Sequence, residues 1–142
     1  MPVNFMEDGM QAWLFTIVED LPVLEAESAF EIWSEPPYDV SSGEVRRRSD
    51  GQPYTPAWRV GDEITVYQPG SQRCVATLRV DSEPEWVDED DVFTLATTVV
   101  AFRANGPTLA DVGVLKAVQG GRQRLTRQQH AAARRRIALH SA

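Results

Sequence analysis

The sequence predicts an α+β fold, a strongly bent, mostly antiparallel sheet or small β-barrel, and three observations carry that prediction. Residues Val60 to Pro84 alternate apolar and polar side chains on both sides of a Gln-Pro-Gly-Ser interruption, the pattern of two half-buried strands around a turn. Strand-like and helix-like segments do not alternate as β-α-β units, which argues against a parallel α/β sheet. The C-terminus carries a capping pattern and an alanine-rich stretch to about Leu139 with arginines on it, which reads as a basic amphipathic helix.

Taken in order, Trp13-Leu-Phe-Thr-Ile-Val18 is apolar, aromatic and β-branched, and is bounded by Glu19-Asp20 and Pro22, which predicts a central strand covered on both faces. Val23, Ala26, Phe30 and Trp33 then recur at helical spacing between Glu25, Glu27, Ser28 and Glu31, predicting a helix that Pro36-Pro37 stops. Glu35 to Ala57 is rich in turn formers and reads as a long loop with room for one short strand near Val45 to Arg48. Gly61-Asp62 supplies a tight turn, with a positive φ at the glycine and an Asx-type hydrogen bond, that sets where the hairpin begins. In the hairpin, Ile64, Val66, Cys74, Ala76, Leu78 and Val80 are expected to face the core. Glu85 to Asp91 reads as an acidic turn around Trp86, and Phe93 to Phe102 as a further strand that Asn105-Gly-Pro107 closes. Thr108-Leu-Ala-Asp111 opens a short helix with a capping box, Gly120-Gly121 breaks the chain, and Gln123 to Leu125 is a last short strand before a second capping box, Thr126-Arg-Gln-Gln129.

At 142 residues the chain predicts one domain, residues 1–142, able to bury about two thirds of its unfolded surface. The start lacks the basic and then apolar run of a signal peptide, and no window approaches the roughly 18 apolar residues of a membrane span, so a soluble, cytoplasmic protein without membrane contact is expected. Cys74 is the single cysteine, and its place on an apolar strand face predicts a buried thiol rather than a nucleophile. The formal charge of -7 hides a polarity: before Arg46 there are acids and no Lys or Arg, and after Asp111 there are Lys116 and six arginines with no side-chain carboxylate. That arrangement either presents a basic surface to a phosphate backbone or pairs the two ends of the chain with each other.

The opening Trp13-Leu-Phe, the segment leading to Ile32-Trp33, the Gly61-Asp62-x-Ile-x-Val-Tyr start of the hairpin, Ala76-Thr-Leu-Arg-Val80, Ser82-Glu-Pro84, and Gln119 to Arg127 occur in one order along most of the chain. Together they resemble the EVE domain of the PUA-like superfamily, whose YTH relatives read methylated adenine in RNA. The resemblance implies a small β-barrel with an aromatic-lined concave pocket for a single modified base, hence a non-catalytic partner of DNA or RNA carrying such a base. A base taken from its stack loses a few kcal/mol and regains about 1–3 kcal/mol on each aromatic face it meets. Trp33 is carried over first as a stacking wall at the end of its helix, with a core tryptophan as the other reading; Tyr54 and Trp58 are further pocket candidates. The sequence departs from the family here, since Ser34-Glu35-Pro36-Pro37 and a proline-rich insertion follow Trp33. For the phosphates, Arg46, Arg47 and Arg48 form an adjacent run, which also reads as a solvated charge run. Arg122, Arg124 and Arg127 surround a glycine-rich turn at a helix N-terminus, where free N–H groups favour an anion.

Catalysis is not expected: no nucleophile–base pair, phosphate loop or metal-ligand spacing is recognisable, and neither cofactor nor metal is implied. His130 and His140 lie ten residues apart, and His130 is accounted for by packing at the helix end beside Leu125. The acidic run Asp88 to Asp91 reads as a solvated turn before a cation site. The alternative to a base reader is a small-molecule or protein-interaction module on the same barrel without nucleic-acid affinity.

Overall fold

Gly61 and Asp62 fix the start of the predicted hairpin. Gly61 has φ 93°, a left-handed value that glycine adopts without steric cost, and its N–H donates to the Val80 carbonyl at 2.8 Å. The buried Asp62 carboxylate accepts from the backbone N–H of Arg59 and of Gln11 and from the Trp13 indole N–H, at 2.9–3.0 Å. The Asp62 side chain therefore bonds backward, to Arg59 three residues earlier rather than two residues on as an Asx turn would, and it also ties the first strand of the chain to the hairpin.

The computed structural model describes residues 10–17, 24–25, 27–34, 41–55, 57–116 and 122–138, with Arg122 described by its backbone alone. The elements are β1 (Ala12–Thr16), β2 (Ala29–Ser34), β3 (Glu63–Gln68), β4 (Arg73–Val80), β5 (Glu85–Val87), β6 (Val92–Phe102), a 3-10 turn (Ala110–Val112), β7 (Arg122–Arg124) and α1 (Arg127–Ala138). One sheet runs β2-β6-β4-β3-β1-β7, with β5 on β6; β1–β3 is its one parallel pair and every other pair is antiparallel. The α+β, mostly antiparallel expectation holds. The sheet is not closed into a barrel among the described residues, since no pairing joins β2 to β7. No helix among them is long and apolar enough to cross a membrane.

Two expectations need correction. The helix predicted from Val23 to Trp33 is not formed in its described part: Glu27 has φ 67° and residues 29–34 are β2, in register with β6 from Thr98 to Phe93. Residues 18–23, 26 and 35–40 lie outside the described set. Phe30, Ile32 and Ser34 turn inward while Ala29, Glu31 and Trp33 are exposed, a period of two that a helical reading of the same few residues concealed. The second correction concerns β1, which is not central but lies one strand in from the β7 edge.

The hairpin strands are buried on both faces. One core contains Trp13, Ile32, Trp58, Ile64, Val66, Leu78, Leu95 and Val99; the other, beneath α1, contains Leu14, Cys74, Ala101, Leu125, Ala133 and Ile137. Thr65 and Thr77, which the alternation turned toward solvent, are cross-strand neighbours on the α1 side and fully buried. A register shift between Val66 and Tyr67 moves Cys74 out of the face of Ala76, Leu78 and Val80 and into the second core.

Trp58 shows that the sheet curls. Its ring lies 5.1 Å from that of Trp13 on β1, and its Nε1 donates to Ser34 Oγ on β2 at 3.3 Å. β2 and β1 are separated by four strand spacings, which in a flat sheet would be about 19 Å. One indole cannot bridge that distance, so the sheet folds around it. At the opposite end of β4, the Cys74 N–H donates to the Pro107 carbonyl at 2.7 Å, and the Gly106 backbone passes so close that a Cβ there would lie 1.9 Å from Cys74 O. Only glycine fits at position 106.

Candidate functional site

The loop before the hairpin is itself a small two-stranded turn. Arg47 bridges Pro53, Arg48 N–H donates to Gln52 O at 2.7 Å, and Tyr54 N–H donates to Arg46 O at 3.3 Å. Asp50-Gly51 makes the tip, with Gly51 at φ 86° and Asp50 Oδ1 accepting from Gln52 N–H at 3.0 Å. The short strand expected near Val45 to Arg48 is not formed as such; an isolated antiparallel bridge between Arg47 and Pro53 stands in its place.

Its three arginines have different surroundings. The Arg46 guanidinium carbon lies 5.4 Å from the Tyr54 ring centroid, and that of Arg47 lies 6.0 Å from the Trp86 ring, both within cation–π range. Arg47 also donates to Gly51 O at 3.0 Å, and Arg48 pairs with Asp50 at 3.2 Å on the open surface. Trp86 on β5 is half-buried, its ring 5.1 Å from Phe93 and its Nε1 donating to Asp88 Oδ1 at 3.1 Å. Two adjacent guanidiniums of one exposed turn thus stand over two aromatic rings, Tyr54 of the same turn and Trp86 of β5.

The three predicted pocket aromatics do not share one concavity. Trp33 is 53% exposed on the outer face of β2, with Nε1 donating to Glu31 Oε1 at 2.8 Å. Trp58 is 2% exposed and sits on the opposite face of β2, bonded to Ser34, as part of the core. Tyr54, 42% exposed, stands beside Arg46. Of the three, only Tyr54 joins the arginine loop, and the second aromatic beside that loop is Trp86, from the acidic turn. The alternation of Glu85, Trp86 and Val87 and their pairing to Thr94, Phe93 and Val92 put Trp86 on the Phe93 side.

The C-terminal basic group lies only partly within the described residues. The Arg124 guanidinium covers the Trp13 ring at 5.4 Å, Arg127 is exposed on the first turn of α1, and the side chain of Arg122 and residues 117–121 lie outside the described set. The start of α1 is capped from within: Gln129 N–H donates to Thr126 Oγ1 at 3.1 Å, and Thr126 N–H to Gln129 Oε1 at 2.9 Å. This is the predicted capping box, and it occupies two of the donors that an anion would need. The earlier box is present too, Thr108 N–H donating to Asp111 Oδ2 at 3.0 Å and Asp111 N–H to Thr108 Oγ1 at 3.2 Å, but it opens only a 3-10 turn.

Sequence reasoning missed a charged cluster under α1. His130 Nε2 lies 2.8 Å from Glu63 Oε1, and Arg134 Nη1 3.2 Å from Glu63 Oε2, with the His130 and Glu63 side chains almost fully buried. Burial pushes the Glu63 carboxyl up, but the His130 hydrogen bond and the charges of Arg134, His130 and Arg79 outweigh it and hold the carboxyl below its ordinary value. No sequence signal couples residues 63 and 130, which the fold alone brings together. Among the described residues, no group of three or more His, Cys, Asp or Glu side chains could hold a metal ion.

Compared with known proteins, the chain matches no protein-family model, no curated protein and no solved structure.

Proposed function

We propose that the chain is a non-catalytic nucleic-acid-binding domain that takes a modified or extruded base of DNA or RNA at Tyr54 and Trp86, with Arg46 and Arg47 beside the adjoining phosphates. The observation that carries this reading is the paired placement of Arg46 over Tyr54 and Arg47 over Trp86 on one exposed turn. A guanidinium leaning on a ring is held in place at little further entropic cost, presents donors to phosphate, and leaves ring surface on which a base can stack. The curl of the sheet about Trp58 fits the small PUA-like barrel that the sequence resembles. Trp33 stands outside this site, on the outer face of β2, with its indole N–H donating to the Glu31 carboxylate. That exposed, acidic aromatic face favours the second reading, a protein-interaction module.

The test is fluorescence anisotropy with labelled single- and double-stranded oligonucleotides, modified and unmodified, across a salt series. Tyr54→Ala is expected to weaken binding by about 1–3 kcal/mol, the worth of one stacked base, without unfolding the domain. Absence of salt-dependent binding to every oligonucleotide would sink the proposal.

A further inference from the structure

We infer that a second surface for a nucleic-acid phosphate backbone lies at the C-terminal end of α1, built by Arg73, Arg103 and Arg136; the inference rests on the nucleic-acid reading above. These residues come from β4, from the turn after β6 and from α1. The turn is locked onto the start of β4 by Arg103 N–H donating to Val75 O and Cys74 N–H to Pro107 O, both at 2.7 Å. On that frame Arg73 Nη1 donates to Gly106 O at 3.0 Å, and Arg103 Nη1 reaches the Arg136 carbonyl at 3.2 Å. The backbone therefore fixes two guanidiniums on one turn and ties one of them to the helix turn that carries the third.

Charge separates this cluster from three of the other arginines. Arg48, Arg79 and Arg134 each pair with a carboxylate, of Asp50, Asp81 and Glu63. Arg73, Arg103 and Arg136 form no ion pair among the described residues; two of them donate to neutral carbonyls. A guanidinium has five N–H donors, so each retains several for a ligand. The exposed Asp111 lies within the field of Arg136 and Arg73, and its Oδ2 already accepts from Thr108 N–H. It is also the only side-chain carboxylate from Val92 to the end of the sequence.

The surface is separate from the Tyr54–Trp86 site. Trp86 pairs with Phe93 near the start of β6 and Arg103 follows its end, a run of about 30 Å at about 3.3 Å per residue. Nucleic acid suits the cluster because a repeating anion can meet several arginines of different elements at once, each contact releasing counterions.

The experiment measures affinity for a labelled duplex and a labelled single strand between 50 and 200 mM salt, values chosen to span the steep range. It compares the full chain with the Arg73→Gln, Arg103→Gln, Arg136→Gln triple variant and with Arg136→Gln alone, whose side chain anchors no backbone group. Thermal melting checks the fold of each. The expected result is a log K against log salt slope shallower by about 2–3 for the triple variant and by about 1 or less for the single one, with base preference retained. If the parent chain binds and both variants keep its affinity and slope, this inference falls and the proposed function stands. If the parent chain binds no oligonucleotide at any salt, both fall.

Discussion

Glu63 Oε1 and His130 Nε2 lie 2.8 Å apart between β3 and α1, an almost fully buried contact between two residues far apart in the chain. It anchors the first half of the helix to the sheet, with Arg134 closing over the other carboxylate oxygen. Because the folded-state pKa of Glu63 is lowered, its contribution to stability is fully present above the unfolded value near 4.5 and is lost as pH falls through the lower folded value. Glu63→Gln is expected to cost about 1.5–3 kcal/mol at pH 7, as for a hydrogen bond to a charged group. It should also remove part of the acid-side fall in stability. Urea unfolding from pH 7 to pH 3 measures both; an identical acid slope in parent and variant would show that the contact carries no such linkage.

The four tryptophans should divide by solvent access. Trp33 is exposed and Trp58 is not. Trp33→Ala is expected to change stability by no more than about 0.5 kcal/mol, whereas Trp58→Ala should cost about 3–5 kcal/mol. Acrylamide quenching gives an independent reading: Trp33→Phe should remove the most readily quenched part of the emission. Little change in quenching after that substitution would mean that another indole is the exposed one.

Cys74 should be inert until the domain opens. Burial, and secondarily the negative charge of Asp111, push its thiol up to about 12, and the side chain is fully buried in the core beneath α1. At pH 8 a thiol-specific reagent is expected to react only at the rate of unfolding, and at once in denaturant. Prompt stoichiometric labelling of the native protein would contradict the placement.

Local patterns made most of the strands legible. The alternation on both sides of Gln-Pro-Gly-Ser marks β3 and β4, the threonine and valine content of residues 93–102 marks β6, and both capping boxes form the reciprocal bonds their spacing predicts. Residues 29–34 were misread because Phe30 and Trp33 are three apart, which suits a helix, while inward Phe30, Ile32 and Ser34 suit a strand; pairing with β6 selects between them. The site was less legible for a related reason. Tyr54 and Arg46 are linked by a local turn visible in Asp50-Gly51, but Trp86 reaches Arg47 only because β5 folds back on β6. Likewise Trp58, in loop sequence, is drawn into the core by the curl of the sheet rather than by anything in its own neighbourhood.

The position of β1 bears on how the chain folds. Trp13 pairs on one side with Ile64 and on the other with Arg124, so both neighbours of β1 lie far downstream of it in the sequence. The β3–β4 hairpin can form from nearby residues and offer its free edge early, but β1 must then close a long loop to dock parallel to β3, and β7 must close a longer one to cover it. Folding is thus paced by non-local pairing rather than by helix formation. Until β1 arrives the β3 edge stands open to association with other copies of the chain, and until β7 arrives the β1 edge does.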